Sequence, residues 1–347
     1  MEHFRYSLFV MILGFIAIAL WGWYSSSGDV TMVIKLVGIT AILAIMEVSL
    51  SFDNAVVNAS ILKKWDHYWK MLFLTVGILI AVFGMRLIFP IVIVSQTANM
   101  ELLEVWNLAL NDSASYSKEL IDYHAEISAF GGMFLLLVFL HFLFDSEKEL
   151  YWLSYEEKIS KLGKIDAIST LIALVVLMVS SSLINSEHEH SVLVAGIWGV
   201  ITYRGVQLIG TLLEEHNEKL NSAAQTVAKG SIGGFLYLEV LDASFSFDGV
   251  IGAFAITQDV IVIMVGLGIG AMLVRSMTIY LVEKETLDSY IYLEHGAHYA
   301  IGALAIIMVL NTTGLHIPEV ITGLTGVGLI LISLYSSHKH KTSGSVD

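Results

Sequence analysis

Glu47-Val-Ser-Leu-Ser-Phe-Asp53-Asn54-Ala-Val-Val-Asn58-Ala59 and Asp242-Ala-Ser-Phe-Ser-Phe-Asp248-Gly249-Val-Ile-Gly-Ala253-Phe254 are two apolar stretches of this chain that read almost alike. Each opens on an acid and carries Ser-x-Ser-Phe-Asp, with its two acids six positions apart. Chance likeness of two apolar helices would not set Glu47 over Asp242 and Asp53 over Asp248, so the chain contains an internal repeat. The match extends outward: Gly77 and Arg86 are nine positions apart, as are Gly266 and Arg275. The interval from Asp53 to Gly77 is six residues longer than that from Asp248 to Gly266, which fits a loop insertion at Lys63–Lys70. Gly132 and Gly302 hold similar places further along.

The rest of the chain places these motifs in lipid. Of 347 residues, 56% are hydrophobic and 14% charged, where a soluble domain carries about 25% charged residues. The mean hydropathy is +0.75. Such a chain cannot cover a water-facing surface, which excludes an ordinary soluble enzyme and a disordered chain. The absence of cysteine excludes a disulfide framework, a thiolate metal site and a Cys nucleophile. The net charge of −14 argues against nucleic acid as a partner. Apolar runs near the ~20 residues needed to cross a bilayer lie at about 7–24, 34–61, 70–94, 127–144, 166–183, 191–212, 230–257, 260–282, 296–312 and 318–335. The runs are continuous rather than alternating, so they read as helices and not barrel strands. The first lacks an A-x-A-like exit and reads as a span, not a signal peptide.

Lysine and arginine orient these ten spans. With the N-terminus cytoplasmic, thirteen basic residues fall in cytoplasmic segments and only Lys118 outside. Both termini are expected in the cytoplasm, and the membrane is expected to be the plasma (bacterial inner) membrane. Spans two to four then correspond to seven to nine. The offset of five is odd, so the halves cross the bilayer in opposite directions. Inverted repeats are typical of secondary transporters, with the site at the repeat interface near the midplane. The expected organisation is a first half over 1–165, a second over 166–335 and a disordered tail over 336–347.

A charge at mid-bilayer costs at least ~2.5–3.5 kcal/mol, so buried ionisable residues need a reason. Glu47, Asp53, Asp242, Asp248, Arg86 and Arg275 lie well inside spans, and Glu239 shares a helical face with Asp242. One reading is a structural network in which each arginine neutralises an acid. The acids outnumber the arginines, however, and the surplus calls for protons or a bound cation. The donors are all oxygen: the four motif carboxylates, the hydroxyls of Ser49, Ser51, Ser244 and Ser246, and the Asn54 amide. Such a set suits Mg²⁺, Ca²⁺ or Mn²⁺ better than zinc or Cu(I). Acids six apart sit ~120° from each other on a regular helix, so convergence would need a tilt or an unwound stretch, for which Asn54 and Gly249 are the candidates.

Other groups invite two readings. His295 and His298, beside Glu294, suit a proton relay or inner metal site, or are an interfacial pair. The loop 95–126, with Glu101, Glu104, Asp112, Glu119, Asp122 and Glu126, and the segment Glu187-His188-Glu189-His190 would attract cations or simply be solvated. Arg204 has no repeat partner and reads as structural. No P-loop, nucleophile elbow or Rossmann fingerprint marks an enzyme, and no permanent cofactor is expected.

The paired motifs, together with Phe254-Ala-Ile-Thr-Gln-Asp259 and Tyr292-Leu-Glu294-His295-Gly-Ala-His298-Tyr, resemble the TerC family of integral membrane proteins, and more specifically its branch catalogued as a domain of unknown function. The resemblance runs from about span two to span nine. It implies links to tellurium resistance, to Mn²⁺ efflux and to protection of exported metalloproteins. It maps the family's motif acids onto Glu47, Asp53, Asp242 and Asp248, with Asn54 beside the first pair. The chain departs from the family in having Asp248-Gly249 where Asp-Ser is common, which removes a hydroxyl ligand. Its extra spans and long acidic loop also set it apart from shorter members. An acidic site repels the tellurite anion, so any tellurium resistance would be indirect.

The resulting expectation is a ten-helix exporter of a divalent cation, Mn²⁺ first, with the bilayer and the metal ion as partners and proton exchange at the same carboxylates. A homo-oligomer or a membrane-protein partner is compatible with it. The rivals are a transporter of another solute that uses the acids for proton coupling, and a non-transporting membrane scaffold in metal or tellurium stress.

Overall fold

The computed structural model describes residues 4–77, 79–97, 100–146, 148, 150–164, 167–184, 189–214, 230–283, 290–315 and 317–343; within these, some side chains, including those of Phe247 and Asp248, lie outside the description. Among the described residues all regular structure is helical. The helices are α1 (Arg5–Ser25), α2 (Val30–Leu50), α3 (Phe52–Leu62), α4 (His67–Leu72), α5 (Phe89–Thr97), α6 (Leu102–Asn111), α7 (Ser113–Asp122), α8 (His124–Leu143), α9 (Glu156–Ser160), α10 (Ile168–Ser181), α11 (Glu189–Glu214), α12 (Ile232–Ile256), α13 (Val260–Glu283), α14 (Leu293–Thr312) and α15 (Glu319–Ser343). Between α4 and α5 the chain winds as wider π turns over Phe73–Gly77 and Ile80–Ile88.

Local chemistry sets the boundaries. Gly28, with φ +93°, turns the chain between α1 and α2, and Asp29 caps α2 by accepting from the Thr31 N–H at 2.8 Å. Ser231 caps α12 through the Gly234 N–H at 3.0 Å, just after Gly230 with φ +79°. The Asp259 side chain accepts from the N–H groups of Ile261 and Val262 at the start of α13. Gly314, with φ +85°, follows the end of α14.

Among the described residues, eight helices are long and apolar enough to cross a membrane, and a ninth span arises if Glu156–Gly163 and Ile168–Ser181, bent by 102°, are taken together. The chain is a polytopic all-α membrane protein. The expected span 230–257 is α12, whose 25 residues carry Glu239, Asp242 and Asp248 and so exceed the charge of an ordinary span. The expected span 166–183 is α10, of 14 residues. The acidic loop 95–126 holds α6 and α7, and α15 runs on to Ser343 through most of the segment expected to be a disordered tail.

Packing follows the repeat. The third span of each half meets the other half's motif: α13 lies on α2 and α3, and the π-helical span lies on α12. The fourth span α8 packs on its repeat counterpart α14. The α2–α13 approach is close and parallel. A Cβ on Gly266 would stand 2.7 Å from Leu43 Cβ, and one on Gly270 would stand 2.5 Å from Glu47 Cβ and 2.9 Å from the Ala44 carbonyl, so small residues let these backbones meet. Two apolar clusters form the core, one around α8 and α14, the other joining α2, α6, α7, the end of α12 and the start of α13.

Candidate functional site

The two motifs cross antiparallel. Asn58 Nδ2 donates to Asp242 Oδ1 at 2.7 Å, while Glu47 Oε2 lies 3.1 Å from where a Cβ on Gly249 would stand. Descending one motif therefore ascends the other. The contacts are also reciprocal under the repeat. Glu47 corresponds to Asp242 and Asn54 to Gly249; Glu47 meets Gly249, and Asp242 faces Asn54. A contact of residue i with j' matched by j with i' is the mark of two-fold exchange. Inversion, inferred from the parity of spans, thus has a geometric counterpart where the motifs touch.

Around this crossing is a small cavity of about 40 Å³, lined by Glu47, Ser51, Asn54, Asn58, Arg86, Asp242, Ser246 and Arg275 among others. Arg86 forms an ion pair with Glu47 through Nη2 and Oε1, and Ser51 Oγ donates to the same oxygen at 2.9 Å. Both arginines also grip the π-helical span: Arg86 Nη1 donates to the Ala81 carbonyl at 2.6 Å and Arg275 Nε to the Leu74 carbonyl at 2.7 Å. Widened turns of this kind are uncommon and concentrate at functional positions. Among the described residues, Arg86 Nε, Asn54 Oδ1, Asn58 Oδ1 and Ser246 Oγ are buried without a hydrogen-bond partner. Unmet polar atoms are costly in a protein interior, and these belong to residues lining one space.

The remaining motif residues diverge. Asp53, 5% exposed, accepts from the Asn54 N–H at 2.9 Å and turns its other oxygen toward Gly326 of α15. Ser49 is exposed and bonds the Ile45 carbonyl; Ser244 bonds the Val240 carbonyl and lies by Gly131 of α8. Glu239 is buried against Gly77, with neither carboxylate oxygen bonded among the described residues. Asp248 stands on α12, and its side chain lies outside the described residues. Among the described residues no three of His, Asp and Glu converge as a metal-binding group. Nor does the backbone unwind at the expected places. The chain bends at Ser51, where Ser51 N still donates to the Glu47 carbonyl and Ala55 N to the Ser51 carbonyl, and α12 runs unbroken through Gly249.

Residues 52–343, which include the Asp53 end of the first motif, both arginines and the whole second motif, match the family described as "Protein of unknown function (DUF475)". The chain belongs to the DUF475 family. No curated protein and no solved structure matches it.

In this DUF475 protein His295 and His298 lie elsewhere, at its lysine-rich end. There the described residues between Phe144 and Gly163 form a strap against the start of α14. Glu156 anchors it and is 0% exposed: its oxygens accept from Tyr299 Oη at 2.8 Å and the Trp152 N–H at 3.0 Å, with His295 Nε2 at 3.4 Å. His295 Nε2 donates to the Leu150 carbonyl at 3.1 Å, and His298 stacks on Phe142 at 3.9 Å. Lys148 Nζ stands 3.6 Å from the centre of the same Phe142 ring, and burial pushes its ammonium below the ordinary lysine range against the pull of Glu156. Gly163 closes the strap on the Phe144 carbonyl, where any Cβ would collide. Sequence reasoning missed Asn58 and Glu156. Asn58 had a signal, since it lies four residues after Asn54 on one helical face; Glu156 sits in a charged stretch indistinguishable from a solvated loop.

Proposed function

We propose that this DUF475 protein is a secondary transporter whose cargo passes the cavity between the two motifs. The observation that carries the reading is the antiparallel crossing of the motifs around one polar cavity, with the reciprocal contacts of Glu47 with Gly249 and Asp242 with Asn54 and the bond from Asn58 to Asp242. That is the placement expected of a substrate site in an inverted-repeat carrier.

The cargo we favour is a divalent cation, Mn²⁺ first, moved out of the cytoplasm in exchange for protons. The support is chemical. The lining offers carboxylates, hydroxyls and the unbonded amide oxygens of Asn54 and Asn58, all hard donors. The TerC resemblance points the same way. Glu47→Gln or Asp248→Asn should abolish metal tolerance at unchanged protein level. Manganese accumulation that stays at the wild-type value in cells carrying either change would sink this reading.

A second reading has its own support. Glu47 is already engaged by Arg86, and no three acidic or histidine ligands converge among the described residues. Both facts suit a carrier of another solute that uses its acids for coupling. Uptake and efflux across a metal panel and a set of organic solutes separate the two.

A further inference from the structure

The two halves are equivalent in sequence but not in pairing. Arg86 and Arg275 occupy the same repeat position, as do Glu47 and Asp242. In the first half the arginine holds its own half's acid, with Arg86 on Glu47. In the second half the corresponding pair is open: Arg275 donates to the Leu74 carbonyl, and Asp242 is bound by Asn58 instead. All four side chains line the same cavity.

We propose that the ion pair exchanges between the halves. In the alternate state Asp242 pairs with Arg275 and Glu47 is released from Arg86. The inference rests on the transport reading, because swapping the conformations of two inverted halves is what carries such a protein from one access state to the other. Interfaces of this kind are bistable rather than continuously deformable, and the two arrangements use the same number of charges. Arg275 is ready for the change, since the carbonyl that it now holds needs no charged partner.

The sequence makes the exchange unequal. Asp242, when it lacks an arginine, has the Asn58 amide and faces Asn54. At the equivalent positions Glu47 would find Gly249 and Ala253, which have no polar side chain. Once released, Glu47 keeps only Ser51, so in that state its charge falls to whatever occupies the cavity.

The test uses the absence of cysteine in the chain. Ser60 lines a cavity at the lysine-rich end with Lys63, Leu150 and Glu294, and Ser113 lines one at the opposite end with Trp21 and Asp259. Ser60→Cys and Ser113→Cys, made singly in the full-length protein in vesicles, report access to each end by their rate of reaction with a small polar thiol reagent. Glu47→Gln breaks the pair seen here and should shift the ratio of the two rates by about tenfold or more. Asp242→Asn, which removes the alternate pair, should shift it in the opposite direction. If Glu47→Gln does not fold, Arg86→Gln breaks the same pair from the other side. Shifts in the same direction, or no shift in either variant, overturn the exchange. Labelling needs no cargo, so opposite shifts without flux of any tested solute would sustain the exchange and overturn the transport reading.

Discussion

Asp53 Oδ2 lies 2.6 Å from the point where a Cβ on Gly326 would stand. The second acid of the first motif is thus turned to the last helix while the first acid, Glu47, faces the cavity.

Gly326→Ala should therefore displace Asp53 and destabilise the protein by about 1–3 kcal/mol, the range for overpacking a closed site. Gly328 is the control, two residues on along the same helix with open space around it. Gly328→Ala should be neutral or stabilising by up to ~1 kcal/mol. Thermal unfolding in detergent reads both, and equal loss in the two variants would contradict the Asp53 contact.

Asn58→Ala removes the donor to a half-buried carboxylate and should cost about 1–3 kcal/mol. Asn58→Asp keeps the size but sets a second acid against Asp242, so it should be the more damaging. Unfolding midpoints that reverse this order would show that the 2.7 Å bond does not hold the motifs together.

Tyr299→Phe and Glu156→Gln should loosen the strap without opening the central cavity. Hydrogen exchange at residues 150–163 should rise in both variants, more in Glu156→Gln because it touches all three partners. Unchanged protection there would mean that the strap is held by apolar contacts alone.

Lys148 gives the strap a pH dependence with a definite sign. Its folded pKa is lowered from 10.5, chiefly by burial, so between the lowered value and 10.5 the unfolded chain binds more protons than the folded one. Strap protection should rise with pH through that window, and Lys148→Met should flatten the rise. A strap that loosens as pH climbs toward 10.5 would contradict this.

The membrane class and the duplication were legible because both rest on composition and spacing, which lipid enforces strongly. Glu47, Asp242 and the two arginines were legible as a set because charge in a span is rare. The direction of the Asp53 side chain was not. Six positions on a helix separate side chains by about a third of a turn, and the bend at Ser51 leaves Asp53 on the Gly326 side. The π turns in the third span were also hidden, since nothing in Phe73–Ile88 distinguishes them from its regular counterpart in α13. His295 and His298 had two readings in sequence; the structure sets them under the strap.

Among the described residues the strap has no counterpart. The equivalent link in the second half, from α14 to α15, spans only residues 313–318. A chain of two identical inverted halves would have degenerate end states, each populated equally at rest. In a transporter of the kind proposed above, a segment anchored by Glu156 on one face alone would lift that degeneracy if its seating differed between the two states. A carboxylate that does not line the cavity would then contribute to the resting preference.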